Sequence, residues 1–238
     1  MTFITGRHLS RLTFILCLAV SAAACSETIV GDDPGSPEPP EPDPLGGAAT
    51  LGEALLAGGF VIWWRHGEAT VCEDRRDLGI GSETHVFEWW KSCDKDCSTA
   101  LVRQMSPQGV TEAQTIGEAV KARGFPFGRV ISSEYCRCFE SAELMDLGPA
   151  IEIDQLVTYW VYEDVILSRC AVAWGLLSQV PAAGTNTAIV AHNYPDCIGS
   201  GGPDLGLENG QAAIFRPDGA GLTTFIAKVN YDEWTALP

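Results

Sequence analysis

The chain has 238 residues, with 31 acidic against 15 basic side chains and a formal charge of −16. It is long enough for one sizeable domain, and its negative field repels polyanions, which argues against nucleic acid as a partner. A phosphorylated ligand would need a local cluster of arginines to overcome that field.

At the N-terminus, Arg7 and Arg11 flank the start of an apolar run, Leu12 through Val20, that is too short to span a bilayer as a helix. Ser21-Ala22-Ala23-Ala24 then leads to Cys25, so residues 1–24 read as a signal peptide. A cysteine directly after small residues resembles the lipobox of bacterial lipoproteins, which implies cleavage before Cys25 and a diacylglycerol on its thiol. Ser26 resembles outer-membrane sorting, and the expected location is an exported lipoprotein facing the periplasm, held by Cys25 at the outer membrane. Residues 25–48, rich in Pro, Glu, Asp and Gly, bury no apolar surface and are expected to form an acidic, extended tether. Residues 49–238 form the folded domain. Removing Arg7 and Arg11 leaves 13 basic against 31 acidic side chains, a charge of −18.

The domain opens with Thr50-Leu51-Gly52-Glu53, a capping-box pattern that predicts a short helix ended by Gly58 and Gly59. Phe60-Val61-Ile62-Trp63-Trp64 follows as a continuous apolar run, the pattern of a strand buried on both faces. Ser106-Pro107 reads as N-cap and N1 of a helix with Val110, Ala113, Ile116, Gly117 and Val120 at helical spacing up to Gly124. Arg129-Val130-Ile131-Ser132 predicts a second strand, followed by a helix over about 135–145. A third helix is expected over about 164–179, then a buried strand over 187–191. Arg216-Pro217-Asp218-Gly219 marks a turn between strands at 212–215 and about 223–229. Strands alternating with helices predict a three-layer α/β/α sandwich with a mainly parallel central sheet, whose site lies outside the carboxyl ends of the strands.

The stretch 69–104 fits no regular element and is rich in Cys, Trp and charge. Trp89-Trp90 could shape a lid or stabilise a surface insertion, and Cys93 and Cys97 could close a small loop within it. Seven cysteines remain in the domain, Cys72, Cys93, Cys97, Cys136, Cys138, Cys170 and Cys197, which suits up to three bridges and one free thiol in an exported chain. Their spacings form no paired C-x-x-C set and only His85 is a spare histidine, so no metal site is expected.

Two histidines share one address: His66 ends the first buried strand and His192 the last. Arg65 precedes His66, and Gly67 lets the backbone turn sharply beside a ligand. Arg137 lies on the first turn of the helix after Ser132-Ser133, where a phosphate could meet a guanidinium and helix N-terminal amides. Neutral imidazole as nucleophile, arginines on the equatorial oxygens and an acid for the leaving oxygen are what phosphoryl transfer requires.

Arg65-His66-Gly67-Glu68-Ala69-Thr70 resembles the R-H-G motif of the histidine phosphatase superfamily, the phosphoglycerate mutase-like proteins. The resemblance continues through Met105-Ser106-Pro107-Gln108-Gly109 with Ala113-Gln114, through Ser132-Ser133-Glu134-Tyr135-Cys136-Arg137 with Ser141-Ala142-Glu143, and through Ala191-His192-Asn193. Leu207-Glu208-Asn209-Gly210-Gln211 and Asn186-Thr187 are similar to the small phosphatase branch. The resemblance implies a phosphoglycerate mutase-like fold, phosphorylation of His66, and a phosphate pocket of Arg65, Arg137 and His192. Ser141 departs from the usual threonine. No motif assigns the general acid: Glu163, with Asp164 beside it, and Asp196 stand near positions where different branches place one. Arg103 is a further candidate for phosphate. The expected activity is hydrolysis of small phosphomonoesters without metal or other cofactor. A phosphomutase using the same pocket and a non-catalytic surface lipoprotein binding a phosphorylated ligand are the alternatives.

Overall fold

A computed structural model describes residues 43–75, 77, 83, 86–154, 173–193 and 205–238. Cys25, the expected signal peptide and residues 25–42 of the expected tether lie outside these residues, as do His85, Glu163, Asp164, Cys170, Asp196 and Cys197; of residues 43–48, Leu45 and Ala48 pack against the core of the domain.

Helix α1 (Leu51–Ala57) starts where Thr50 accepts the Glu53 N–H and ends at Gly58, which has φ 81°. Strand β1 (Val61–Arg65) is buried along nearly its whole length, because it lies between two other strands and under both helical layers. Helix α2 (Pro107–Arg123) has Ser106 as N-cap, accepting the Gly109 N–H, Pro107 in its first turn, and Gly124 in the left-handed region at its end. Strand β2 (Phe127–Ser132), helix α3 (Cys136–Met145), strand β3 (Ile151–Ile153) and strand β4 (Asn186–Ala191) follow. Strands β5 (Ala212–Pro217) and β6 (Thr223–Val229) pair through a turn in which Asp218 accepts the Ala220 and Leu222 N–H groups. Of the helix expected over 164–179, the described residues show 173–177 as helical. Strand β3 was not expected.

The six strands run in the order β3-β2-β4-β1-β5-β6. The first four are mutually parallel, whereas β5 is antiparallel to β1 and to β6. Alternation along each strand sends residues to opposite faces. Ile62, Trp64, Val190 and Ile214 join Ala113, Ile116 and Val120 of α2 and Trp234 on one side. Val61, Trp63, Ile189 and Phe215 meet Ala173, Leu176 and Leu177 on the other. The fold is thus the three-layer α/β/α sandwich with a mainly parallel sheet.

The insertion before α2 is tied down covalently. Cys72 bonds to Cys97, and Cys93 bonds to Cys136 at the start of α3, so the small Cys93–Cys97 loop does not form. Trp89 and Trp90 are buried in a cluster with Val102, Tyr135 and Cys138, and Trp90 Nε1 donates to Glu134 at 3.0 Å. The indoles therefore wedge the insertion onto the turn between β2 and α3. The bridges span 25 and 43 residues of sequence; by loop-closure entropy each stabilises the fold by roughly 3–4 kcal/mol, less in sum because the loops overlap. Urea unfolding with and without a thiol reductant is expected to show a loss of several kcal/mol.

Candidate active site

The parallel register creates the site. Arg65 on β1 stands opposite Ala191 on β4, and Val190 opposite Ser132 on β2, so the next residue of each strand, His66, His192 and Ser133, emerges at one edge. The His66 N–H donates to Ala191 O at 2.9 Å and the Ser133 N–H to Val190 O at 3.0 Å, holding the three turns together. Glycines let the backbones meet: a Cβ on Gly67 would lie 2.4 Å from Gly109 O, and one on Gly109 would lie 2.1 Å from Glu68 O. Both motif glycines are therefore required by a mutual close approach rather than by turn geometry alone.

The His66 and His192 rings stand edge to face with centroids 5.5 Å apart, and both residues are buried. His66 Nδ1 lies 2.7 Å from Gly67 O. A carbonyl only accepts, so the neutral ring carries its proton on Nδ1 and presents the lone pair of Nε2. Toward that lone pair Arg137 Nε donates at 3.1 Å. The Arg137 guanidinium lies 4.2 Å above the centre of the Tyr135 ring, and Tyr135 in turn stands edge-on to His192 at 4.8 Å. His192 Nε2 lies 3.2 Å from Ser133 Oγ. Arg65 Nη1 donates to Leu207 O at 2.7 Å, and Asn193 Oδ1 accepts the Leu207 N–H at 2.6 Å, which ties Leu207 to both strand ends. The Ser141 hydroxyl accepts the Gly67 N–H at 3.1 Å and donates to Arg137 O at 2.7 Å.

Burial first, and then Arg137, push both imidazoles well below their ordinary value of 6.5. Burial, followed by Arg103 and Arg137, likewise pulls Arg65 down. The thiol of Cys138, buried against His192, is pushed up to about 12 by burial and stays protonated. Among the described residues no group of three or more His, Cys, Asp or Glu side chains could hold a metal ion.

No family model and no curated protein matches this sequence. Solved structures of similar chain path do. The protein histidine phosphatase SixA, complexed with tungstate, is 14% identical over 72% of this chain and 97% of that one, with a TM-score of 0.46. A mycobacterial glucosyl-3-phosphoglycerate phosphatase is 13% identical over 71% and 98%, with a TM-score of 0.45. Phosphoserine phosphatase from Entamoeba histolytica, in complex with 3-phosphoglyceric acid, is 12% identical over 74% and 98%, with a TM-score of 0.41. The likeness is one of fold.

Of the candidates named from sequence, His66, His192, Arg65, Arg137 and Arg103 come together at this edge, while Glu163 and Asp196 lie outside the described residues. Two residues of the site were missed. Tyr135 read only as the start of a helix, although an aromatic beside a motif arginine is a usable signal for stacking. Asp74 sat in the irregular insertion with nothing to mark it, yet it bonds both Arg137 and Arg103.

The two depressed histidines have a measurable consequence. Each is neutral in the folded chain and takes up a proton on unfolding below pH 6.5. Their contribution is therefore complete above that pH and is lost as pH falls, by up to about 1.4 kcal/mol per pH unit per histidine. Urea unfolding between pH 7.5 and 5.5 is expected to show this decline, with a shallower slope in His192→Gln.

Proposed function

We propose that this chain is a phosphomonoesterase of the histidine phosphatase superfamily, small phosphatase branch, working through a phosphohistidine on His66 and needing no metal. The observation that carries the reading is the state of His66: Nδ1 is committed to Gly67 O, and Nε2 faces Arg137 in a buried pocket. Nε2 attacks phosphorus and the ester P–O bond breaks. The leaving oxygen takes a proton from an acid, for which Glu163 and Asp196 are the proposed sources. Water then attacks the phosphohistidine and gives its proton to the carboxylate left by that acid; the P–N bond breaks, which releases inorganic phosphate and restores both Nε2 and the acid. Arg65, Arg137 and Arg103 stabilise the charge on the transferring group, and His192, beside His66, stabilises the transition state with them. A neutral nucleophile spares this cationic pocket a competing anion, and the depressed imidazoles favour activity that persists below pH 6.5.

The substrate is proposed to be a small phosphorylated compound. The chain is further proposed to be an exported lipoprotein with Cys25 lipidated and residues 25–48 as its tether, facing the periplasm at the outer membrane. Two disulfides on the domain support an oxidising compartment.

The test is covalent trapping. Wild type and His66→Ala, both in EDTA, are mixed with p-nitrophenyl phosphate, quenched in alkali, which spares phosphohistidine, and mapped by mass. A phosphoryl adduct on His66 in the wild type supports the reading; turnover that requires added metal, or an adduct elsewhere, sinks it.

A further inference from the structure

We infer that Asp74 is a positioning residue of the phosphate pocket, a buried carboxylate that locks Arg137 and Arg103 into one preassembled clamp; the inference rests on the phosphate-pocket reading above. Asp74 Oδ1 accepts from Arg137 Nη1 at 3.1 Å and from the Arg103 backbone N–H at 3.0 Å, and Oδ2 accepts from Arg103 Nε at 3.0 Å. Its side chain is 5% exposed, that of Arg137 1% and that of Arg103 37%. One carboxylate thus joins an immobile arginine to one that solvent would otherwise leave loose.

The contact geometry favours positioning over competition for the ligand's place. Asp74 takes Nη1 of Arg137, whereas Nε–H on the other side of the guanidinium points to His66 Nε2. With the Tyr135 ring against its face, Arg137 is held on three sides before any ligand arrives. A long cation of this kind loses substantial rotamer freedom on binding, and ordering it in advance is what preorganised catalysis requires. Charge points the same way. Arg103 and Arg137 depress Arg65, and all three arginines depress His66, so the carboxylate bonded to Arg103 and Arg137 sits where positive charge is crowded. Burial alone would raise the Asp74 carboxyl, but Arg137 and Arg103 outweigh it and hold the group below its ordinary value, so it acts as an anion.

The insertion delivers Asp74 on a stiff support. Val71 and Gln104 exchange backbone hydrogen bonds of 3.3 and 2.7 Å, the Arg75 N–H donates to Leu101 O at 2.9 Å, and the Cys72–Cys97 bridge lies two residues away. The part of the sequence that matches no motif therefore completes the part that does.

The experiment compares full-length wild type, Asp74→Asn and Asp74→Glu in two readouts: calorimetric binding of inorganic phosphate, and kinetics on p-nitrophenyl phosphate and an alkyl phosphate across pH. Asp74→Asn is expected to weaken phosphate binding and lower kcat/KM by roughly 10- to 100-fold, by the same factor on both esters and without moving the limbs of the pH profile. Asp74→Glu keeps the charge but displaces the guanidiniums, so it should fold like wild type and still lose activity, which keeps the inference testable if Asp74→Asn does not fold. Tighter phosphate binding in Asp74→Asn would make Asp74 a competitor, and a larger loss on the alkyl ester with a shifted limb would make it the proton donor. Either result overturns the positioning role, as do wild-type parameters in folded variants. Phosphate binding without hydrolysis of either ester overturns the hydrolase reading while the affinity change still decides Asp74; a wild type that binds no phosphate overturns both.

Discussion

Turnover of p-nitrophenyl phosphate is expected to fall by on the order of 10⁴-fold or more in His66→Ala, the scale seen when a covalent nucleophile is removed and only the binding pocket remains. The loss should lie in kcat. In the proposed mechanism the imidazole contributes Nε2 to the reaction, whereas the guanidiniums proposed to engage phosphate stay in place. His66→Gln is the stricter control, because its amide can still accept from Arg137 Nε and so separates chemistry from packing. Steady-state kinetics beside phosphate binding check the point: binding within a few-fold of wild type with turnover lost is expected, and turnover within tenfold of wild type would remove His66 from the nucleophile's role.

Arg137→Ala is expected to damage both activity and stability. Arg137 is buried and touches His66, Asp74 and Tyr135 at once. Deleting a charged donor aimed at a developing oxyanion costs about 10²- to 10³-fold in kcat. The structural cost comes from what remains. Asp74 loses its most buried partner and is left as an underpaired buried anion, and breaking a buried pair from one side costs about 3–5 kcal/mol. Arg137→Lys should recover little of either, since a single ammonium cannot reach His66 Nε2 and Asp74 Oδ1 together from above the face of the Tyr135 ring. Chemical unfolding and kcat measured on the same preparations test both halves. A variant of normal stability with lost activity would mean that Asp74 finds another partner, and the reverse would mean that Arg137 only supports the fold.

The parts of the molecule legible in its sequence are those where burial leaves a periodic or continuous trace. Strand β1 reads as apolar up to Arg65 because both of its faces are covered, and α2 carries its cap, its first-turn proline and its terminal glycine in plain order. His66 and His192 could be paired because each follows a buried run, which places both at carboxyl ends of a parallel sheet. Strand β3 left no such trace: it is three residues long, at the sheet edge, with Ile153 half exposed. Asp74 escaped for another reason. Its role depends on two disulfides and a short pair of backbone hydrogen bonds that bring it across 63 residues of sequence to Arg137, and neither pairing nor register in an irregular segment is encoded as a period.

Cys136-Arg137-Cys138 places two thiols around the clamp arginine, one bridged to Cys93 and one sealed against His192. In an extended chain these thiols are nearly equivalent partners for Cys93. Once α3 has formed, positions two apart on a helix diverge by about 200°, so the two side chains leave the helix in nearly opposite directions, Cys136 to its bridge with Cys93 and Cys138 to His192 and the Trp89–Trp90 cluster. The backbone on either side of Arg137 is thus pinned, by a covalent bond at Cys136 and by a buried thiol at Cys138 that donates to Ala191 O, so the guanidinium between the two sulfurs is aimed toward His66 by its chain neighbours as well as by its own contacts.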